Sequence, residues 1–287
     1  MKDKLSTLVP DIYSMLDKLN HEEGITESLE PFLDDFAASV KETVLQWSVP
    51  QVRPKGKNLR MSSVGRKDRQ LWYDNNIEST TIEVPYTQLK FLYGHLIEEV
   101  LLLFCRAAGH TVSDEQREVV VEGVKGHMDA VIDGEVVDVK SAAPYSFTNK
   151  FKLEKLPEDD PFGYLAQLAG YEEDNGTKNG GFLVADKVSG ELVLYRPDDM
   201  DKPDIVSRIK YLKGMIDVDT PPAMCYLDTP EGKKGNMVIN KNCVYCKHKE
   251  ICKADTNDGK GLRKFKYSNG VKYFTVVESL PRVEEIV

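Results

Sequence analysis

The chain has 287 residues, 41% hydrophobic and 30% charged, the ordinary balance of a soluble globular protein with a sizeable core. Its longest apolar run, Val100 to Cys105, is far too short to cross a bilayer, and MKDKLSTLVPDIYSML at the start lacks the apolar stretch of a signal peptide, so a membrane role is excluded and a cytoplasmic location expected. The net charge of −9 excludes a uniformly phosphate-attracting surface, but seven bases stand against one acid between Pro50 and Gln70, and ten against four between Glu231 and Lys266, enough for one face to meet nucleic acid.

In chain order, Leu5, Leu8, Ile12, Leu16 and Leu19, and then Leu29, Phe32, Phe36, Val40 and Val44, recur at helical spacing. They make residues 1–58 a helical segment that ends in a basic connector. In Met61 to Tyr73, Ser62 or Ser63 is a candidate cap for a short helix. A long helix is expected from Tyr86 to about Ala108, closed by Gly109. Apolar residues occupy nearly all its faces, so it should be buried. Glu98 lies among them and needs a partner. Strands are expected over 117–141, a helix over Phe162–Glu172, a strand pair over Gly180–Ala185 and Glu191–Arg196, and a helix over Pro203–Asp217. A hairpin turned at Asn269-Gly270 closes the chain. The expected fold class is α/β, a central mixed sheet flanked by helices, with a core over 59–220 and a cysteine-rich lobe over 221–287.

Val124 to Ser141 reads VKGHMDAVIDGEVVDVKS, two β-rich runs around Asp133-Gly134, a dipeptide suited to a two-residue type I′ turn. That turn sets Asp129 opposite Asp138 and His127 opposite Lys140, all on one face. Met128, Ala130, Ile132, Val137 and Val139 take the other. Opposed carboxylates repel. A hard divalent ion, Mg²⁺ or Mn²⁺, between them removes the objection, lowers the pKa of a bound water and stabilises charge on a scissile phosphate. Glu98 would be a third carboxylate ligand, and Lys140 can orient or deprotonate the water.

Five cysteines occur. Cys243-x2-Cys246-x5-Cys252, with Cys225 upstream, favours a metal site over disulfides in a cytosolic chain. Cys225 is the preferred fourth ligand over Cys105, on the long helix, and His248. Four thiolates suit zinc or an iron–sulfur cluster, and spacing does not separate them. The flanking lysines, among them Lys233 and Lys234, suggest a DNA path along this lobe.

The ordered pieces Gly94-x3-Glu98, Gly126-His127-x-Asp129, Asp138-Val139-Lys140 and Gln167-x3-Tyr171 resemble the PD-(D/E)XK nuclease superfamily, in particular its RecB-type exonuclease branch, over roughly residues 60–260. The resemblance implies a restriction-endonuclease-like core and a DNA exonuclease, with 5′-to-3′ direction as the working assignment. Its setting would be phage DNA recombination, repair or degradation, in a host cytoplasm if phage-encoded, beside a single-strand-annealing or single-strand-binding protein. Glu98, Asp129, Asp138 and the Val139 carbonyl would bind metal, Lys140 would activate water, and Gln167 and Tyr171 would position the strand or the lysine. Ser62, Arg66, Arg69 and His127 would meet phosphates. Many members carry a [4Fe–4S] cluster with the C-x2-C-x5-C spacing, but keep its first cysteine near a segment like Ser62 to Arg69. This chain has none there, and Lys67 stands about where it is expected. The alternatives are a non-catalytic DNA-binding protein on a nuclease fold and a restriction-type endonuclease. Oligomeric state is not legible.

Overall fold

The computed structural model describes residues 3–21, 24–49, 58–77 and 85–286; Arg53, Lys55 and Lys57 of the basic connector lie outside them. The chain divides into two compact units, residues 1–65 with 82–213, and residues 66–81 with 214–287. No described helix is long and apolar enough to cross a membrane.

The first unit holds helices α1 (Leu8–Asp17), α2 (Leu33–Ser48) and α3 (Pro85–Ala107). Strands β1 (Val112–Ser113), β2 (Glu118–Val121), β3 (Val124–His127), β4 (Ala130–Ile132) and β5 (Glu135–Ala142) follow, then α4 (Tyr164–Asn175), β6 (Gly181–Asp186), β7 (Leu192–Tyr195) and α5 (Ile205–Ile216), inside which the unit boundary falls. The central sheet runs β1-β4-β5-β6-β7. Only β5 and β6 pair in parallel among these strands, and α4 lies in their connection, as a parallel crossover requires. The expected mixed sheet flanked by helices is therefore what forms.

Alternation along β4 and β5 sends Ala130, Ile132, Val137 and Val139 to one face. There they join Leu101, Leu102 and Cys105 of α3 and Leu5, Leu8 and Ile12 from the N-terminal helices in one buried cluster. Asp138 and Lys140 take the opposite face, with Phe182 of β6 beside Asp138. The expectation that α3 is buried along its length is corrected: Leu101, Leu102, Leu103 and Cys105 are buried, whereas Tyr86, Leu89, Phe91 and Tyr93 are exposed. A helix of 23 residues runs about 34 Å, longer than the roughly 27 Å of the eight-residue β5.

Between β5 and α4 lies a π-helical turn, Phe147–Lys152. Phe147 and Phe151 are buried, and Phe151 meets Phe182 and Tyr195 at ring separations of 5.9 and 6.3 Å.

In the second unit a helix over Asp68–Asn76 is tied down by Trp72 Nε1 donating to the Val218 carbonyl at 2.7 Å and Asn76 Nδ2 to that of Ile216 at 3.0 Å. This helix begins after Lys67 with no side-chain cap. Ser62 and Ser63 instead belong to a 3₁₀ turn over Met61–Ser63. A second sheet pairs β8 (Thr229–Glu231), β9 (Asn236–Val238), β10 (Arg263–Tyr267), β11 (Gly270–Val276) and β12 (Glu285–Ile286) in the order β12-β10-β11-β9-β8. The closing hairpin turns at Ser268-Asn269, one residue earlier than expected, because Tyr267 pairs with Gly270 and Gly270 takes the positive φ of 123°.

Candidate active site and cysteine pocket

The Asp133-Gly134 turn has φ of 50° and 92°, the two positive values a type I′ turn needs. Asp133 is held from outside the hairpin: its carboxylate accepts from Thr111 N at 3.0 Å, meets His110 Nδ1 at 2.5 Å and pairs with Lys4 at 3.1 Å. Ala130, Val131 and Ile132 pair with Val137, Val136 and Glu135, the expected register. The ladder then stops. Met128 N bonds to the Arg117 carbonyl at 3.1 Å, which carries the chain across to β2, where His127 pairs with Glu118. His127 is therefore exposed and opposite Glu118, not opposite Lys140. Asp129 stays at the hairpin because its Oδ2 accepts the Val139 N–H at 2.7 Å, standing in for the backbone rung lost there.

Asp138 is 0% exposed and forms an ion pair with Lys140. Apart from that pair, neither Asp138 oxygen has a hydrogen-bond partner among the described residues. Lys140 Nζ also lies 3.9 Å from Asp129 Oδ2. Burial, and next the charge of Asp138, push the Asp129 carboxyl well above the usual range. Burial and the charge of Asp129 do the same to Glu98, whose Oε1 accepts from Gln116 Nε2 at 2.6 Å. Burial pulls Lys140 down, but Asp138 and Asp129 outweigh it, and the amine is held above its ordinary value. Three acids thus crowd one ammonium.

Gln167 and Tyr171, buried on α4, hydrogen-bond to each other, Gln167 Nε2 donating to the Tyr171 hydroxyl at 2.8 Å. Burial and the charge of Asp138 raise the Tyr171 phenol, which places this pair in the electrostatic neighbourhood of the acids. Gly126 explains itself here: a Cβ on it would meet Met61 Cβ at 2.5 Å and Tyr171 Cε1 at 3.2 Å. Met61, fully buried, packs where only glycine leaves room.

The donor set is of the kind a hard cation takes, carboxylate oxygens in a buried setting, with the Asp138 oxygens lacking any hydrogen-bond partner beyond Lys140. Among the described residues no three His, Cys, Asp or Glu side chains already converge as a metal cage. A bound ion would have to draw them together and replace Lys140 against Asp138.

In the second unit Cys225, Cys243, Cys246 and Cys252 line one pocket with Arg69, Tyr73 and Met224. Burial and the neighbouring sulfurs push the Cys243 thiol up to about 11, and burial raises Cys225 and Cys246. Cys105 lies elsewhere, fully buried in the core of the first unit. His248 is engaged, with Nε2 2.8 Å from Asp74 Oδ1 and its ring stacked on Tyr73. Arg69 turns inward: Nε donates to Cys252 Sγ at 3.2 Å and Nη2 to the Tyr73 hydroxyl at 3.3 Å, while Nη1 donates to the Pro222 carbonyl. Its guanidinium is thus engaged within its own unit.

Arg66 lies 3.9 Å from Asp74 and Ser62 is exposed. Lys233 and Lys234 are exposed between β8 and β9. Several other bases of this lobe are neutralised: Lys247 by Asp74 at 2.6 Å, Lys253 by Asp228 at 2.7 Å and Lys264 by Glu250 at 3.0 Å. This leaves less positive surface than the composition of 231–266 suggests.

Sequence reasoning passed over Gln116, His110 and Tyr164. Tyr164 lies against Lys140, ring centroid to Nζ 5.7 Å, and its place in the first turn of the helix that carries the Gln167-x3-Tyr171 motif is the available signal.

No protein-family model matches the chain, and no curated protein matches it. Among solved structures it is similar to that of SSO0001, with 14% identity and a TM-score of 0.39 over 75% of this chain and 95% of that one. It is also similar to a phage-related exonuclease from Haemophilus somnus 129PT, with 15% identity and a TM-score of 0.38 over 56% of this chain and 92% of that one.

Proposed function

We propose that the chain is a metal-dependent deoxyribonuclease, an exonuclease that hydrolyses phosphodiester bonds in DNA recombination, repair or degradation. The observation that carries this reading is Asp138, a wholly buried carboxylate whose oxygens have no hydrogen-bond partner beyond the ion pair with Lys140. Burying a charge in that state is costly, and function is the usual reason for tolerating it.

Glu98, Asp129, Asp138 and the Val139 carbonyl would hold Mg²⁺ or Mn²⁺, which supplies a nucleophilic water of lowered pKa and a counter-charge for the phosphate. Lys140, held as an ammonium by two acids, donates hydrogen bonds to the attacking water or a phosphate oxygen, and in this state does not accept a proton. Gln167 and Tyr171, bonded to each other within the electrostatic reach of Asp138, would position the DNA strand or Lys140. In the second unit Cys225, Cys243, Cys246 and Cys252 would hold a [4Fe–4S] cluster or, alternatively, zinc. Anaerobic purification decides between a brown and a colourless protein.

The test is degradation of end-labelled linear DNA and closed circular DNA in Mg²⁺ or Mn²⁺. The parent should shorten linear DNA and spare closed circles, while Asp138→Ala and Lys140→Ala stay folded and inactive. Undiminished degradation by either variant sinks the assignment.

A further inference from the structure

Phe162 and Tyr164 form an aromatic shelf beside Lys140 that the hydrolytic chemistry does not use. The rings stack at 5.5 Å with planes 25° apart. The Lys140 ammonium lies 5.7 Å from the Tyr164 centroid, and that of Lys150 lies 5.8 Å from the Phe162 centroid. Both lysines are engaged, Lys140 with Asp138 and Asp129 and Lys150 with Asp159, whose carbonyl it meets at 2.9 Å and whose carboxylate lies 3.8 Å away. A phosphate that displaces these acids finds two cations beside two rings, the combination that receives a base together with its phosphate.

The shelf is built rather than loose. Asp160 accepts from Gly163 N and Leu165 N, both at 2.9 Å, and so caps the start of α4. Gly163, between the two aromatics, has a φ of 78°. A Cβ on Gly65 would fall 2.4 Å from Gly163 Cα, so the turn is pressed against its neighbour. Phe151 supports Tyr164 from a centroid separation of 6.2 Å. On this fixed turn Phe162 is 53% exposed. A phenylalanine contributes most to stability when fully buried, and a turn this constrained that still presents one half open is shaped to be covered.

We propose that Phe162 and Tyr164 are a stacking subsite for an unpaired nucleobase at the DNA end whose phosphate lies at Lys140. The inference rests on the nuclease reading and deepens it: bases inside a duplex have both faces covered and the terminal pair offers only an outer face fixed across the helix axis, whereas an unpaired base can turn onto the shelf. The enzyme then holds a single-stranded end, and Phe162 is a positioning residue.

The test compares binding of the full-length protein to a short fluorescein-labelled single strand and to the blunt duplex of the same sequence, in EDTA. Steady-state cleavage of the single strand in Mg²⁺ runs in parallel. Phe162→Ala should weaken single-strand binding by about 5- to 100-fold, the loss of one base–aromatic stack, and raise KM more than it lowers kcat. Duplex binding and melting temperature should not change, and Phe162→Trp should restore single-strand affinity. Unchanged single-strand affinity in Phe162→Ala overturns the proposal, as do equal losses on both DNA forms or a failure of Phe162→Trp to rescue. If the parent cleaves DNA and Phe162→Ala matches it, only the stacking subsite fails. A parent that neither binds nor cleaves DNA removes the nuclease reading, and the subsite with it.

Discussion

The side chain of Asp129 accepts the backbone N–H of Val139 at 2.7 Å, across the strand pair from where a ladder rung would stand. That single bond keeps one acid against another after the chain has turned away toward β2. The arrangement opposes stability, because Glu98 and Asp129 are both raised by burial and by a neighbouring acid. A carboxyl whose folded pKa lies above its unfolded one costs stability at every pH above the unfolded value. Glu98→Gln should therefore stabilise the metal-free protein at alkaline pH, on the order of 1–3 kcal/mol. The gain should vanish as pH falls toward the ordinary glutamate value of 4.5, and nuclease activity should be lost. Thermal unfolding in EDTA across that pH range checks it.

Arg69 spends its guanidinium on Cys252, Pro222 and Tyr73. Arg69→Ala leaves a carbonyl and a hydroxyl without a donor, and should cost about 1.5–3 kcal/mol. If the four cysteines hold the proposed cluster or zinc, the variant should also retain less of it. Arg69→Lys should recover only part, since an ammonium lacks the planar fork. Urea unfolding and metal analysis of the purified variants measure both effects.

Gly126→Ala forces a methyl group to 2.5 Å from Met61 Cβ. The expected destabilisation is about 1–3 kcal/mol, together with reduced activity, because the same methyl presses on Tyr171. Met61→Ala alone should also destabilise. Placed together, the two should cost less than their sum, and a double-mutant cycle reads the coupling.

The hairpin register, the buried faces of β4 and β5 and the mixed sheet were legible because side-chain alternation and an Asp-Gly turn are local signals. The hand-over of Val124–His127 to β2 was not, since it depends on Arg117 and Met128 meeting through backbone atoms. His127 was misplaced for that reason. The exposed half of α3 escaped because hydrophobic periodicity says what a helix offers, not how far the sheet extends beneath it. That Arg69 turns onto Cys252 was not legible, because composition counts charge without direction. The grouping of Cys225 with Cys243, Cys246 and Cys252 was legible in their spacing, whereas the place of Arg69 and Tyr73 in the same pocket, supplied by the distant Asp68–Asn76 helix, was not.

Asp133 ties the turn to His110, Thr111 and Lys4. Burial alone would raise its carboxyl, but the His110 hydrogen bond and the others bring it below the usual 3.8. A depressed carboxylate contributes stability above its unfolded pKa and loses it as pH falls through the folded value. The parent should therefore lose this contribution below about pH 4. Asp133→Asn should be less stable at neutral pH by about 1–3 kcal/mol, with the difference shrinking in acid. Urea midpoints at neutral and acidic pH test it.

The turn at Asp133-Gly134 joins β4 to β5 across two residues, whereas β5 reaches its parallel partner β6 only after the π-helical turn and α4. Hairpins close in roughly 1–10 μs, and non-local parallel pairing comes later. Asp129 and Asp138 thus meet first in water, where a charge pair at 4 Å is worth only about 1 kcal/mol. Their quarrel becomes expensive when α4 and β6 seal them in, late on the route to the native state. Relieving it should act on the exit from that state: Asp129→Asn, whose amide oxygen can still accept the Val139 N–H, should slow unfolding in stopped-flow measurements and leave the refolding rate where it was.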